Sequence, residues 1–263
     1  MSLRTKFFKF KRDLNRWSLL LLLILAIVSI PILTIGLKLF NGPGESWGHI
    51  VDYVLYDYLR NSVYLALLCS LLVIFFGVST AWLVSRFEFP FRKQLEWLLI
   101  LPLSVPAYIM AYAYAGIFGY YGLFQNFTAV LGFENISLDV MNIYGLSFVL
   151  SMSLFPYVYV SSRTFFLAQA TNLLEASRML GISELKSFFK LILPLARPAI
   201  IAGLVLVLME VLNDYGAASY YGVSTFTTGI FRSWFSLGEP ETAIYLSAIL
   251  LIIVFGLILL EKW

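Results

Sequence analysis

Long runs of apolar residues, separated by short polar segments, make up most of this chain. Six of the runs approach the roughly 20 helical residues that are needed to cross the apolar core of a bilayer. We place the predicted spans at Ser18–Phe40, Asn61–Ser85, Trp97–Phe118, Ile143–Ser162, Ala199–Tyr215 and Thr242–Leu260. The pattern therefore predicts an all-α integral membrane protein with six transmembrane helices.

Composition favours the same class and excludes a soluble domain. Hydrophobic residues make up 60% of the 263 residues, charged residues make up 13%, and the mean hydropathy is +0.87. A soluble domain of this size could not bury so much apolar surface. The single cysteine, Cys69, lies inside an apolar run, so we expect neither a disulfide framework nor a cysteine-based metal site.

The segment before the first span interleaves basic and aromatic side chains. This pattern is typical of a segment that lies on an anionic membrane surface, so residues 1–17 are predicted to contact lipid and not nucleic acid. The first apolar run is too long for a signal peptide, and we expect it to be retained. Residues 18–263 then form a single transmembrane domain.

The distribution of Lys and Arg predicts the orientation of the spans. With the N-terminus in the cytoplasm, only Lys38, Arg60 and Arg232 of the 18 basic residues fall in outer segments. Both termini and the segment between the fourth and fifth spans are then cytoplasmic.

That cytoplasmic segment, residues 168–197, is unusually polar for a loop between spans. Gly181 follows an amphipathic stretch and permits a left-handed turn. Ser183 is then a candidate N-cap for a second short helix, which ends near Pro194. We expect two short helices joined at Gly181 and lying along the inner membrane face.

The spacing in this segment resembles the EAA loop of ABC importer permeases: Glu-Ala-Ala, three residues, Gly, nine residues, Ile, any residue, Leu-Pro. The matching positions are Glu175, Ala176, Gly181, Leu193 and Pro194, while Ser177 replaces the second Ala and Leu191 replaces Ile. The resemblance implies a type I ABC importer permease fold in a bacterial inner membrane. It also implies coupling helices that dock on a cytoplasmic ATP-binding subunit, with Glu175 at the contact.

The chain contains no Gly-x-x-x-x-Gly-Lys-Ser/Thr phosphate-binding loop. We therefore expect no enzymatic activity and no cofactor in this chain. ATP and Mg²⁺ are expected in the partner subunit.

The fifth span carries acidic residues at a depth where charge is costly. Glu210 lies about 18 Å from the inner end, and Asn213 and Asp214 follow at helical spacings that predict one shared face. Such residues usually face a cavity, and their oxygens suit hard cations that bind transiently. The alternative is structural: Glu210 bonds to a neighbouring helix and Asp214 caps the span.

The strings Met209–Gly216, Tyr221–Ile230 and Leu101–Tyr108 resemble ferric-iron ABC importer permeases. Permeases for thiamine, polyamines or sulfate share much of this architecture. Ferric permeases usually carry two such halves, so the resemblance implies a second half, fused or contributed by another copy. It also implies a periplasmic or extracellular binding protein. Tyr108 and Tyr112 are either a substrate gate or aromatic packing at the interface.

The sequence thus predicts the permease subunit of an ATP-driven importer, with ferric iron as the favoured cargo and alternating access as the mechanism. An ion-coupled secondary transporter that uses Glu210 or Asp214 is the alternative. Such a transporter has no need for a docking loop like residues 168–197.

Overall fold

The computed structural model describes residues 15–119, 122–132, 139–170, 173, 175, 177, 179 and 181–261. Within these residues the regular structure is entirely helical. The α-helices are α1 Arg16–Lys38, α2 Trp47–Tyr53, α3 Leu55–Arg86, α4 Arg92–Leu98, α5 Ala107–Phe118, α6 Leu123–Val130, α7 Ile143–Phe165, α8 Glu184–Ser187, α9 Leu193–Leu195, α10 Arg197–Asn213, α11 Gly216–Tyr220, α12 Phe226–Phe231 and α13 Pro240–Glu261. Short 3₁₀ segments occupy Leu39–Asn41 and Leu101–Ser104, and π-helical turns occupy Phe166–Ala170, Phe188–Ile192 and Arg232–Ser236.

The six-span prediction corresponds to four long apolar helices and two bent pairs. The long spans are Arg16–Asn41, Leu55–Arg86, Ile143–Gln169 and Pro240–Leu257. The pairs are Arg92–Ser104 with Ala107–Val130, bent by 102°, and Glu184–Leu195 with Arg197–Asn213, bent by 63°. Four spans therefore form single helices, and the third is broken near Pro106. The fifth corresponds to the single helix α10, and the 63° bend lies before it, where the loop at residues 168–197 ends.

The third span differs most from its prediction as one helix over Trp97–Phe118. Pro106 has an extended backbone (φ −54°, ψ 138°) and stands immediately before α5. A proline lacks the N–H that would continue the helix and disfavours helical geometry in the residue before it. The chain therefore turns at Pro106, and α5 keeps only 12 residues.

The core of the bundle consists of α3, α7 and α10. Gly203 of α10 permits the closest approach, because a Cβ there would lie 2.8 Å from both the Tyr157 carbonyl oxygen and the Val158 Cα atom. Cys69 is buried in this core, as its apolar setting predicts. By contrast, α1 contacts α13 but buries none of its residues, so most of its apolar surface is left for lipid or another chain.

A smaller cluster joins α2, α3, α12 and α13 at one end of the bundle; its buried members are Ile50, Tyr58, Leu212, Phe226, Leu246 and Leu250. Residues 1–14 of the basic N-terminal segment, for which contact with lipid was predicted, lie outside the described residues. The cluster fixes the short helices that follow α10 and so positions the acidic end of that helix.

Candidate functional site

The acidic group predicted on the fifth span sits at the point where α10 ends. Glu210 lies in the last turn, and its side chain is exposed. Asn213 is the final helical residue, and Asp214 already has an extended backbone (φ −68°, ψ 123°). The φ of Asp214 is still helical, so its side chain leaves the backbone where the helical spacing predicts, and only the chain after it departs from the helix.

Glu210, Asn213 and Asp214 line one pocket of about 340 Å³. The rest of the wall comes from α5 and the residues before it, from α7 and from the start of α11: Pro106, Ala107, Tyr108, Leu150, Leu154, Tyr215 and Gly216. The break at Pro106 thus opens the space that the carboxylates face.

Hydrogen bonds distinguish the three polar side chains. Asp214 accepts a bond from the Ala218 N–H at Oδ2 (2.9 Å), so it caps α11 as well as lining the pocket. Asn213 donates its Nδ2 back to the Met209 carbonyl (2.8 Å). Glu210 makes no hydrogen bond or ion pair within the described part of the chain, and its carboxylate is therefore the group most available to a ligand.

Tyr108 and Tyr112 line an adjoining apolar pocket of about 310 Å³ with Ile109, Gly216 and Tyr220. Gly216 is needed here because a Cβ would lie 2.8 Å from the Tyr108 Cβ. The rings of Tyr112 and Tyr220 are 5.6 Å apart. Tyr108 borders both pockets, while Tyr112 lines only the apolar one of the two.

The loop at residues 168–197 turns at Gly181, whose φ of +72° lies in the left-handed region. The Ile182 N–H donates to the Ser177 carbonyl at 3.0 Å, the long hydrogen bond of a Schellman motif. Glu175 is exposed on this loop, and Ala176 lies outside the described residues. Ser183 occupies the N-cap position of α8, but its side chain makes no capping hydrogen bond, which differs from the expectation.

Ser177, which replaces an alanine of the EAA pattern, is buried and bonded. The Ser187 hydroxyl donates to the Ser177 hydroxyl oxygen at 2.8 Å, and both residues are at most 2% exposed. This contact ties the segment before Gly181 to α8 after it. The loop is therefore held as one unit.

Several contacts join the loop to the bundle. Arg86 at the end of α3 lies 3.0 Å from Glu184 of α8. The Trp82 ring is 4.6 Å from Phe188 and 5.4 Å from Phe166. Leu193 and Pro194 are half-buried at the bend that leads into α10. Displacement of the loop would consequently shift the residues that it contacts at the ends of α3, α7 and α10.

Residues 73–260 match the family described as "Binding-protein-dependent transport system inner membrane component". The chain belongs to this family. The predicted resemblance to binding-protein-dependent importer permeases is therefore confirmed at the level of the family.

Relatives differ in the cargo that their names give. The Fe(3+)-transport system permease protein FbpB 2 of Haemophilus influenzae is 26% identical over 204 residues, which cover 76% of this chain and 37% of that protein. The sulfate transport system permease protein CysT of Salmonella typhimurium is 28% identical over 148 residues, 55% of this chain and 51% of that protein. The spermidine/putrescine transport system permease protein PotB of Escherichia coli is 26% identical over 183 residues, which cover 68% of this chain and 65% of that protein. The chain thus spans 37 to 65% of these relatives.

Solved structures establish the fold. A bacterial alginate ABC transporter, in complex with an alginate pentasaccharide-bound periplasmic protein, superposes with a TM-score of 0.77 at 15% identity, covering 96% of this chain and 94% of that chain. A second structure, of a bacterial ABC transporter involved in the import of alginate, superposes with a TM-score of 0.69 at 17% identity, covering 98% of each chain. The predicted all-helical importer permease fold is confirmed.

The sequence analysis missed two parts of the site. Tyr215 and Gly216 line the Glu210 pocket, although the analysis treated them only as the end of the span. Trp82 and Phe188 connect the loop to the bundle, but in the sequence they are two aromatics among many. Gly216 carried a signal, because a glycine after a helix end often marks a close approach or a turn.

Proposed function

We propose that this chain is the transmembrane permease subunit of an ATP-driven importer in a bacterial cytoplasmic membrane. It takes cargo from a periplasmic or extracellular binding protein and passes it to the cytoplasm by alternating access. A second permease half, fused or from another copy, completes the pathway, and both termini of this chain lie in the cytoplasm. ATP and Mg²⁺ are held by a separate cytoplasmic subunit.

The observation that carries this proposal is the construction of the loop at residues 168–197. Its two legs are bonded through Ser177 and Ser187, and its second leg packs on the bundle. Its outward residues, Glu175, Met179, Leu185 and Phe189, are exposed. Large apolar side chains beside a carboxylate, held on a rigid turn, are suited to a protein groove. An ion-coupled secondary transporter would gain nothing from this surface.

The experiment is co-purification with a candidate ATP-binding subunit. Glu175→Lys reverses one charge on the exposed face and should abolish co-purification and uptake while leaving the amount of membrane-inserted chain unchanged. Glu88→Lys is the matched control, since Glu88 is also exposed but lies before α4, outside the loop. Retained co-purification and uptake in Glu175→Lys would overturn the proposed docking.

Ferric iron is the cargo that we propose. The pocket presents the free Glu210 carboxylate, the second oxygen of Asp214 and the Tyr108 ring. Hard oxygen ligands suit a hard cation that binds transiently during passage. Within the described residues no three His, Cys, Asp or Glu side chains gather as a metal-binding group, so we propose passage and not storage.

Uptake of labelled ferric iron, spermidine and sulfate by reconstituted vesicles tests the cargo. The double variant Glu210→Gln with Asp214→Asn should lose most iron uptake, because it removes both charges while Asn can still cap α11. Glu241→Gln controls for loss of a carboxylate elsewhere. Normal iron uptake by the double variant, or wild-type uptake of spermidine or sulfate instead of iron, would exclude the iron pathway through Glu210.

A further inference from the structure

A second polar pocket lies on the other side of Tyr215 from the Glu210 pocket. Its volume is about 570 Å³, and Tyr215 is the one described residue that lines both. The second pocket contains no carboxylate among its described lining residues, and Arg232 is its one charged side chain there. Hydroxyl groups make up much of the wall: Tyr58, Tyr215, Ser219, Ser224, Thr228 and Ser236.

The Arg232 guanidinium is available to a ligand. It is exposed at the start of a π-helical turn and has no carboxylate within ion-pair distance in the described part of the chain. Arg60, another arginine of the predicted outer segments, instead lies 3.0 Å from Asp57. A guanidinium presents a planar fork of N–H donors that matches carboxylates and other oxyanions in two-point contacts.

Tyr58 supplies an independent observation. The residue is only 3% exposed, it lines this pocket, and its hydroxyl makes no hydrogen bond to any described residue. Its ring is fixed against Phe226 and against Gly229, where a Cβ would overlap the ring. Unlike the Ser85 and Ser162 hydroxyls, which are buried without a partner, the Tyr58 hydroxyl oxygen keeps contact with solvent, so it can donate a hydrogen bond to an acceptor atom in the pocket.

The walls of the pocket are held by contacts between elements that are distant in sequence. Asn61 donates to the Ser224 carbonyl at 2.9 Å, and the Phe226 N–H donates to the Ser62 hydroxyl at 3.2 Å. The Tyr215 and Phe231 rings stack with centroids 3.9 Å apart. The backbone that carries the pocket wall is consequently fixed before any ligand arrives, which lowers the entropic cost of binding.

We propose that this pocket binds a small oxyanion with two or more negative oxygens, through Arg232 and the Tyr58 hydroxyl. The ligand is either a free inorganic oxyanion or the carboxylate groups of an organic chelate. The site goes beyond the proposed function, since neither the loop nor the Glu210 pocket requires it. Its single positive charge disfavours a polyamine at this position.

Binding to the purified full chain in lipid nanodiscs tests the proposal and needs neither an ATP-binding subunit nor a binding protein. Sulfate and citrate are titrated separately at constant ionic strength, with chloride as the balancing anion. Saturable binding of at least one is expected. Sulfate binding alone identifies an inorganic oxyanion site, and citrate binding alone identifies a carboxylate chelate site.

Two variants identify the donors. Arg232→Gln should abolish the saturable binding, and Tyr58→Phe should weaken it about tenfold while it keeps the ring that packs on Gly229. Arg60→Gln and Tyr53→Phe are matched controls outside the pocket and should bind as the wild type does. Absence of saturable binding to the wild type, or equal loss in Arg232→Gln and Arg60→Gln, would overturn the proposal.

A failure here is distinguishable from a failure of the proposed function. Uptake and co-purification test the loop and the Glu210 pocket, whereas the titration reports only on Arg232 and Tyr58. A chain that transports iron but binds neither anion would keep the proposed function and lose this site.

Discussion

Gly181 holds a φ of +72° at the turn of the loop at residues 168–197, and a Cβ there would meet open space. The requirement for glycine is therefore conformational and not steric. The left-handed backbone allows the Ile182 N–H to reach the Ser177 carbonyl. One residue thus sets the angle between the two legs of the loop.

Gly181→Ala should destabilise this turn by about 1 kcal/mol, because an L-residue pays for left-handed backbone geometry. The measurement is hydrogen exchange of the peptide that contains the Ile182 amide, which should exchange several-fold faster. Gly48→Ala is the matched control: Gly48 also faces open space but lies in the helix α2 without a positive φ. Unchanged exchange in the Gly181 variant would show that the turn carries no strain.

Glu210 and Asp214 show how neighbouring carboxylates acquire different tasks. Asp214 gives one oxygen to the Ala218 N–H, so its position is fixed by α11. Glu210 has no such bond in the described residues and can follow a ligand. Spacing along the sequence placed both correctly near one pocket, but only the end of α10 at Asn213 separated their roles.

At the scale of elements, the decisive features are the bend inside the third span and the bend before the fifth. An unbroken helix through Pro106 would place Tyr108 on the continuing axis, whereas the 102° bend brings it against Gly216. The 63° bend before α10 places the loop along the bundle. Proline predicts where a helix is weakened, but packing on α7 and α11 determines how far it turns.

The start of α13 is attached to the segment before α2 by Glu239. Its carboxylate accepts hydrogen bonds from the Ser46 and Thr242 hydroxyls, each at 2.7 Å, and from the Ser46 N–H. These bonds, that of the Ser46 side chain above all, lower the pKa of Glu239 below its usual value of 4.5. The ionised form is therefore favoured in the folded chain.

A lowered pKa in the folded state stabilises the fold above the pKa of the unfolded chain, and this contribution is lost as pH falls through the folded value. Melting temperatures measured from pH 7 to pH 3 should fall more steeply in the wild type than in Glu239→Gln. Glu241→Gln, two residues further along in the first turn of α13, should retain the wild-type slope. Parallel slopes in wild type and Glu239→Gln would contradict the proposed linkage.

At the scale of the whole molecule, two functional surfaces lie on one packed bundle of α3, α7 and α10. The loop contacts α3 and the turn after α7 through Trp82, Phe166 and Phe188. The Glu210 pocket lies at the other end of α10 and is walled by α7. Closely packed helices move as rigid bodies, so a displaced loop can alter the distant pocket.

Trp82→Leu should therefore reduce cargo transported per ATP hydrolysed by several-fold, while co-purification with the ATP-binding subunit persists. Leucine keeps an apolar contact in the half-buried position but cannot span the distance to both Phe166 and Phe188. Trp97→Leu is the control, since Trp97 is 77% exposed. If the two variants transport equally well per ATP, transmission does not pass through Trp82.

The sequence alone determined the class and the positions of the apolar runs, and it predicted the loop at Glu175–Pro194. Apolar run length and motif spacing are local properties of the sequence. They predict spans and loops because bilayer thickness and helix geometry are the same for every fold. The left-handed Gly181 followed from the same local logic. These predictions needed no knowledge of which helices touch.

Only the tertiary structure decided which residues meet across the chain. Tyr58 and Arg232 are distant in sequence, and the contacts of Asn61 and Ser62 with the loop before α12 bring them to one pocket. Likewise, the sequence gives no reason for serine in place of alanine at position 177. The structure explains it, because the Ser187 hydroxyl lies 2.8 Å from the Ser177 hydroxyl. Such pairings depend on packing between elements, because side-chain contacts across a bundle are set by helix ends and bends that no local pattern records.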